Sequence, residues 1–593
     1  MNYSLNKTDF EKEKQKGVIQ TARRRLVPLM AEEKHSVIIA IIAIIISSSV
    51  LLIVPIIIAH IIDVYIVGKN FQGVLSFSGL LFFICLVGLA SNYTQIITMG
   101  GVGRRLLFNL RNKIFSKLQE LPVSFFNQNK AGDLISRINN DTDKLNQFFS
   151  QALMQFISNI ILIIGTGIFM LVIDFELGLV ALVPAMIVLL VTQMLSPWVK
   201  RTSLKSLRTL GGMSSEIQES INNFKVIIAF NRLDYFRNKF NESNQKNYNA
   251  SVKAGVAANI FNPIYTLASS LAQISVLAYG IFLISNGQFT VGLLIGFLLY
   301  VNNFYNPLRQ LASVWSSLQL ALAGLDRISE VLALESNIKT QPKEEETKET
   351  FSANKAILEF KNISYHYVEG TDVLRDANFI LEKGKTYALV GPTGGGKTTT
   401  ASLMARLYDP CDGTIYLEGK DIRFYTPAER AKKIGFILQE PFLFNGTIRE
   451  NILYGNGDYN QYSDSELTKL LEKFHLTNLL SRFGEGLNTR IVSGGDGISL
   501  GQKQLIAFIR AVIRNPDILI LDEATANIDT VTEELLQEII DNLPSETTKV
   551  IIAHRLNTIE NADSIFFVNA GEIVPAGSMQ HAVEMLLHGK RQS

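Results

Sequence analysis

At 593 residues the chain is long enough for several domains, and it is 47% hydrophobic and 19% charged. That apolar balance favours membrane segments over an ordinary soluble enzyme. The formal net charge of +2 implies no nucleic-acid partner. Two widely separated cysteines, Cys85 and Cys411, make neither a disulfide framework nor a metal cluster, and fit a reducing compartment for the polar part of the chain.

The N-terminus is polar and basic up to Lys34, with no early apolar core and small-residue cleavage pattern, so no cleaved signal peptide is expected. Six long apolar stretches follow, near residues 36–62, 73–99, 149–172, 176–197, 256–284 and 289–318. Each reaches the roughly 20 residues that a spanning helix needs. Their interiors read as nearly uncharged, with His60 the main ionisable exception. Basic residues gather in the N-terminal segment (Lys12, Lys14, Lys16, Arg23, Arg24, Arg25), after the second stretch (Arg104, Arg105, Arg111, Lys113, Lys117) and after the fourth (Lys200, Arg201, Lys205, Arg208, Arg237). The other connections, "IDFE" and "SNGQ", are short and lack Lys and Arg. Basic loops stay inside, so both termini and the two long loops are expected on the cytoplasmic side of a multi-pass protein of the cytoplasmic membrane. Segments such as "LLFNLRNKIFSKLQEL" predict helices that run well past the bilayer.

The character changes at about residue 334. "ESNIKTQPKEEETKETFSAN" is charged and lacks an apolar period, which reads as a linker over 334–354. The expected organisation is a membrane domain over 1–333, this linker, and a soluble α/β domain over 355–593. In the soluble part "KTYALV", "DILILDE" and "KVIIAHR" read as buried parallel strands alternating with helices. The fold class is thus a six-helix membrane bundle followed by an α/β P-loop NTPase domain.

The strand "KTYALV" runs into "GPTGGGKTTT". Residues 391–398 match G-x-x-x-x-G-K-[ST] in its strand–loop–helix context. The nucleotide-binding candidates here are Gly391, Thr393, Gly394, Gly396, Lys397, Thr398 and Thr399. The glycines let backbone N–H groups approach phosphate, Lys397 neutralises the β- and γ-phosphates, and the Thr398 hydroxyl binds Mg²⁺. A second apolar strand ends in Asp522 and Glu523. Asp522 suits Mg²⁺, and Glu523 is the candidate general base for attack on the γ-phosphate. Alone, such a pair is equally well a solvated strand end. His554 ends another apolar strand and suits a γ-phosphate contact, and Gln439 suits both Mg²⁺ and the attacking water.

Together these residues resemble the nucleotide-binding domain of an ABC transporter, and the six preceding spans resemble a half-transporter of the exporter type. The motif order matches: P-loop 391–398, Q-loop Gln439, signature "ISLGQ" 498–502, Walker B 518–523, D-loop "ANID" 526–529 and switch His554. The resemblance implies ATP and Mg²⁺ as cofactors, with Glu523, His554 and Gln439 catalytic. It places Tyr367 against adenine and Ser499, Gly501, Gln502 and Asp529 at a nucleotide shared head to tail between two chains. It also assigns 125–141 and 223–240 as coupling segments; simple solvated helical hairpins are the alternative.

Leu500 departs from the family pattern, which has glycine there. The resemblance implies a signature with poorer phosphate geometry beside complete Walker residues. That combination, with "DEATANID" at 522–529, is similar to one member of a heterodimeric multidrug exporter, whose partner half-transporter lacks the glutamate after its Walker B aspartate. A homodimer with a tolerated variant signature is the competing reading. The expected function is ATP-driven export of hydrophobic or amphipathic compounds across the cytoplasmic membrane, with membrane lipids and a hydrophobic small-molecule substrate as partners. A lipid or glycolipid flippase is the alternative, and an ATP-gated channel or regulator is a third reading, disfavoured by Glu523 and His554. Phe261, Tyr265, Gln273, Tyr279, Tyr300, Asn302, Asn303, Tyr305, Asn306 and Trp315 read either as helix packing, the better reading for most, or as a substrate cavity.

Overall fold

A computed structural model describes residues 3, 5, 28–336, 338, 356–367, 372–474, 476–477, 483–492, 498–522, 530–552, 561–577, 580–581 and 584–585. The chain divides into two units. One comprises Lys7–Leu118 and Gly132–Ala333, the other Met1–Asn6, Gln119–Ala131 and Leu334–Ser593.

The first unit holds six helices long and apolar enough to cross a membrane: α1 Met30–Ile66, α2 Phe71–Glu120, α4 Ala131–Ile173, α5 Phe175–Asn222, α7 Leu233–Ser285 and α8 Val291–Ala333. Two short helices, α3 Val123–Gln128 and α6 Phe224–Ala229, fall between them in the chain. At 50 residues α2 is about 75 Å long, far more than a hydrocarbon core of about 30 Å. The long basic loops are therefore mostly continuations of the spans.

Helix α8 packs on α1, α4 and α7. Glycine allows this approach: a Cβ on Gly296 would stand 2.9 Å from the Pro55 carbonyl oxygen. Asp63, at the end of α1, accepts from the Thr290 hydroxyl (2.5 Å) and the Gly292 and Leu293 amides (2.7 and 3.1 Å), satisfying the start of α8 from another helix. Two charges fall within the apolar stretches, Glu176 at the start of the fourth and Arg309 in the sixth. Arg309 is an exposed residue of α8. It stands 18 residues, or about 27 Å, from Val291, at the far edge of a hydrocarbon core, where a guanidinium reaches water.

Farther along α8 an ion-pair cluster joins it to α4. Arg137, almost fully buried, pairs with Asp133 (3.0 Å) and Glu330 (2.8 Å). Arg327 reaches Asp133 (2.5 Å) and the wholly buried Asp141 (3.3 Å), which also holds Lys144 (2.8 Å). Removing one member leaves buried charge unpaired.

Among the described residues the second unit contains two main sheets and a short ribbon of β7 Gly446–Thr447 and β8 Arg490–Ile491. Strands β1 Ala356–Tyr365, β2 Leu374–Glu382, β4 Asp412–Leu417 and β5 Lys420–Asp421 form an antiparallel sheet in the order β2-β1-β4-β5. The other sheet uses β3 Thr386–Val390, β6 Ile434–Ile437, β9 Ile518–Asp522, β10 Thr548–Ile552, β11 Ser564–Asn569 and β12 Glu572–Pro575, in the order β12-β11-β3-β10-β9-β6. All of its pairings are parallel except β11–β12. Its continuous apolar strands are buried on both faces: Ile518 and Ile520 enter one core cluster, Leu519 and Leu521 the other. Parallel strands bring their carboxyl ends to one edge, where ligands of open α/β sheets bind.

Candidate nucleotide site and membrane cavity

The register defines that edge. Leu389 of β3 stands beside Ile552 of β10, and Ile552 beside Asp522 of β9. Three strand ends thus lie in a row. Ile437 of β6 pairs with Leu521, so Gln439, exposed two residues farther on, follows the neighbouring strand end. Glu523, Asp529 and His554 lie outside the described residues.

After β3 the chain makes a loop that only glycine accommodates. Gly391, Gly394 and Gly396 have φ of 148°, 82° and 109°. A Cβ on Gly391 would strike the Val568 carbonyl oxygen of β11, so the loop also needs glycine for room. Thr393 and Gly394 form its exposed tip, and Gly396 caps helix α9, Lys397–Met404. Lys397 is only 5% exposed, and its ammonium donates to the Gly391 and Pro392 carbonyls at 2.8 and 3.0 Å. The lysine is therefore held over the loop by main-chain acceptors. The Thr398 hydroxyl donates to Asp522 Oδ1 at 3.1 Å, with Asp522 2% exposed. A hydroxyl and a carboxylate converging at the end of β9 are hard oxygen donors of the kind Mg²⁺ takes.

Tyr367 stands beside this loop. Its hydroxyl shares a hydrogen bond with Thr399 Oγ1 at 2.9 Å, and its ring meets Tyr365 and Tyr408 edge-on. Tyr408 in turn accepts from the Asn127 side-chain amide of α3 at 2.8 Å. Burial pushes the Tyr408 hydroxyl above its ordinary pKa. The path Asn127–Tyr408–Tyr367–Thr399 thus links α3 to the first turn of α9 inside one unit. Tyr3 joins the same place. It is buried, its ring meets Phe125 edge-on, its amide donates to Gln128 Oε1 (2.7 Å), and its hydroxyl donates to the Glu335 carbonyl (3.1 Å). Sequence reading missed Tyr408, Asn127 and Tyr3, since no periodicity marks partners 281 and 332 residues apart.

The signature opens helix α13, Leu500–Val512. Ser499 is its N-cap: Ser499 Oγ accepts from the Gln502 amide (3.2 Å), and Gln502 Oε1 accepts from the Ser499 amide (3.1 Å). Leu500 is the first helical residue and has no positive φ. The backbone thus takes leucine without strain, so the departure from the family glycine is not a backbone defect. What Leu500 adds is bulk: a side chain 38% exposed on the turn whose amides face outward.

The membrane unit contains a cavity of ≈ 960 Å³ between α1, α2, α4 and α8. Of the ten residues considered for a substrate cavity, only Asn303 and Asn306 line it. Tyr265, Tyr300 and Tyr305 are buried in the helix-packing core instead, and the Tyr305 hydroxyl donates to the Ala181 carbonyl at 2.9 Å. A buried phenol needs an acceptor, and main-chain carbonyls supply it. The aromatics are structural, and the cavity wall lies elsewhere.

Six spanning helices joined to a P-loop α/β domain define a membrane transporter driven by nucleotide hydrolysis. The ABC transporter transmembrane region matches residues 37–308, and the ABC transporter nucleotide domain matches 374–526. An ABC transporter ATP-binding protein of Bacillus subtilis, YfiC, is 34% identical over 94% of this chain and 91% of its own length. A multidrug resistance ABC transporter ATP-binding and permease protein of Lactococcus lactis is 31% identical over 82% of this chain and 81% of its own. A bacterial Atm1-family ABC exporter solved with ATP bound shares the fold, with TM-score 0.77 and 23% identity over 94% of this chain and 99% of that one. The chain belongs to the ABC transporter family: it is a multi-pass half-transporter that binds ATP and couples its hydrolysis to transport.

Proposed function

We propose that the chain is one half of an ATP-driven exporter of largely apolar compounds, paired with a different half-transporter that lacks the Walker B glutamate. The membrane domain is 1–333, the linker 334–354 and the ATPase domain 355–593, with both termini and the ATPase domain in the cytoplasm. The single observation that carries the asymmetric reading is Leu500, an exposed apolar side chain on the anion-facing turn of an otherwise well-capped helix. It crowds the site where a partner's γ-phosphate would meet the helix N-terminus.

ATP binds with Tyr367 against adenine and Gly391–Thr399 around the phosphates. Thr398, Asp522 and Gln439 would hold Mg²⁺, which supplies charge neutralisation on the phosphates. Glu523 takes the proton of the attacking water, and His554 contacts the γ-phosphate. Asp529 and the signature residues Ser499, Gly501 and Gln502 face the nucleotide across the chain interface. Closure around ATP biases the helices outward, and loss of the γ-phosphate resets them. The Asn127–Tyr408 hydrogen bond supports a coupling role for 125–141. The second coupling segment includes α6, whose Phe224, Val226 and Ile228 are exposed as in a helix that seats on another surface.

Leu500→Gly in the assembled transporter tests the asymmetry. If Leu500 serves a site without a catalytic glutamate, reconstituted ATP turnover and efflux change less than about twofold. In a homodimer the same change improves both hydrolytic sites, and a rise of tenfold or more would refute the asymmetric pairing.

A further inference from the structure

The chemistry of the membrane cavity narrows the exported class. Of its 21 lining residues, eight are carboxamides, three are serines and ten are apolar; none is charged or aromatic among the described residues. The amides stand on successive turns, Gln151, Gln155 and Asn159 on α4 and Asn303, Asn306 and Gln310 on α8, so each helix presents a stripe at helical spacing. Gln155 Nε2 donates to Gln310 Oε1 at 2.8 Å, joining the two stripes. Ser150 and Gln151 belong to the π-helical stretch Phe148–Ala152, a widened turn of the kind found at functional sites.

Asn159 is the second, independent observation. It borders the cavity, is 4% exposed, and its Nδ2 has no hydrogen-bond partner among the described residues. A buried amide nitrogen without an acceptor costs free energy. The nitrogen itself is closed off from the cavity; turning the carboxamide over would present it to a ligand carbonyl or hydroxyl.

A charged ligand fits this wall poorly. On this chain's side of the cavity a cation meets neither a carboxylate nor an aromatic face, and an anion no Lys or Arg, among the described residues, so this chain leaves such a charge unpaired. Carboxamides both donate and accept, so they complement a ligand that does the same. The geometry points to an uncharged ligand that carries amide or hydroxyl groups on an apolar body, of the chemistry of a capped apolar peptide. This inference rests on the export reading and specifies its substrate.

The test uses the assembled transporter in lipid vesicles, with N-acetyl-trileucine amide and the same peptide with its N-terminal amine uncapped and charged. Ethidium, a permanent cation, is the third probe. The capped peptide is expected to stimulate ATP turnover at a tenfold or more lower concentration than the uncapped one. Asn159→Ala should raise that half-stimulating concentration about fivefold, the loss of one hydrogen bond. Asn306→Ala gives the same test if the first variant does not assemble. Equal or better action of the uncapped peptide or ethidium, or no shift in the variants, overturns the ligand class and leaves export standing. Failure to drive ATP-dependent movement of any probe overturns the export reading itself.

Discussion

Glu523→Gln is expected to lower ATP turnover by about 10²–10⁴-fold, the range for losing a positioned general base, while ATP affinity stays within about twofold. Glu523 directly follows Asp522, the last residue of β9, whose carboxylate meets the Thr398 hydroxyl. Glutamine keeps size and hydrogen bonding but cannot take a proton. Phosphate release and binding of a fluorescent ATP analogue, measured side by side, separate the two effects. A variant that turns over normally would remove Glu523 from the chemistry.

Lys397→Ala is the complementary case and is expected to act on affinity first. The native ammonium already lies over the loop, held by the Gly391 and Pro392 carbonyls. Phosphate oxygens exchange for those carbonyls with little movement. A charge-assisted hydrogen bond contributes about 1.5–3 kcal/mol, so the loss should weaken ATP binding by roughly 10–100-fold. The variant also removes the ammonium from the Gly391 carbonyl, whereas the Pro392 carbonyl keeps the Gly395 amide at 3.0 Å. An unchanged dissociation constant for the ATP analogue would contradict the placement of Lys397 at the phosphates. The two variants thus split binding from turnover, as a ground-state contact and a transition-state contact must.

The sequence made the gross architecture plain because the relevant signals are local. Apolar runs mark the six spans, and "GPTGGGKT" carries its own geometry, in which Gly391 needs both its φ and its lack of a side chain. The strand order around β3 was not legible, since parallel pairing joins segments as far apart as 386–390 and 548–552. Nor was the junction of Tyr3, Asn127 and Tyr408, which exists only after folding. The cavity is different. Gln151, Gln155 and Asn159 recur every four residues, a helical polar stripe in an apolar span, and that signal was available. The aromatics of the last two spans read mostly as packing, and the Tyr300 and Tyr305 hydroxyls meet main-chain carbonyls. Leu500 illustrates the converse. A leucine in a glycine position of a motif does not by itself mean backbone strain, because the capping box of Ser499 and Gln502 starts the helix in ordinary geometry. The physical consequence lies in the exposed side chain.

The central claim is that this chain carries a working set of Walker residues but serves its partner with a crowded signature. ATP hydrolysis by the purified chain alone, set against the chain purified with a half-transporter that has a normal signature and no Walker B glutamate, tests it most directly. The account predicts weak turnover of the lone chain, unresponsive to transported compounds, and a rise of at least tenfold on pairing. Full, compound-stimulated turnover by the lone chain would contradict it.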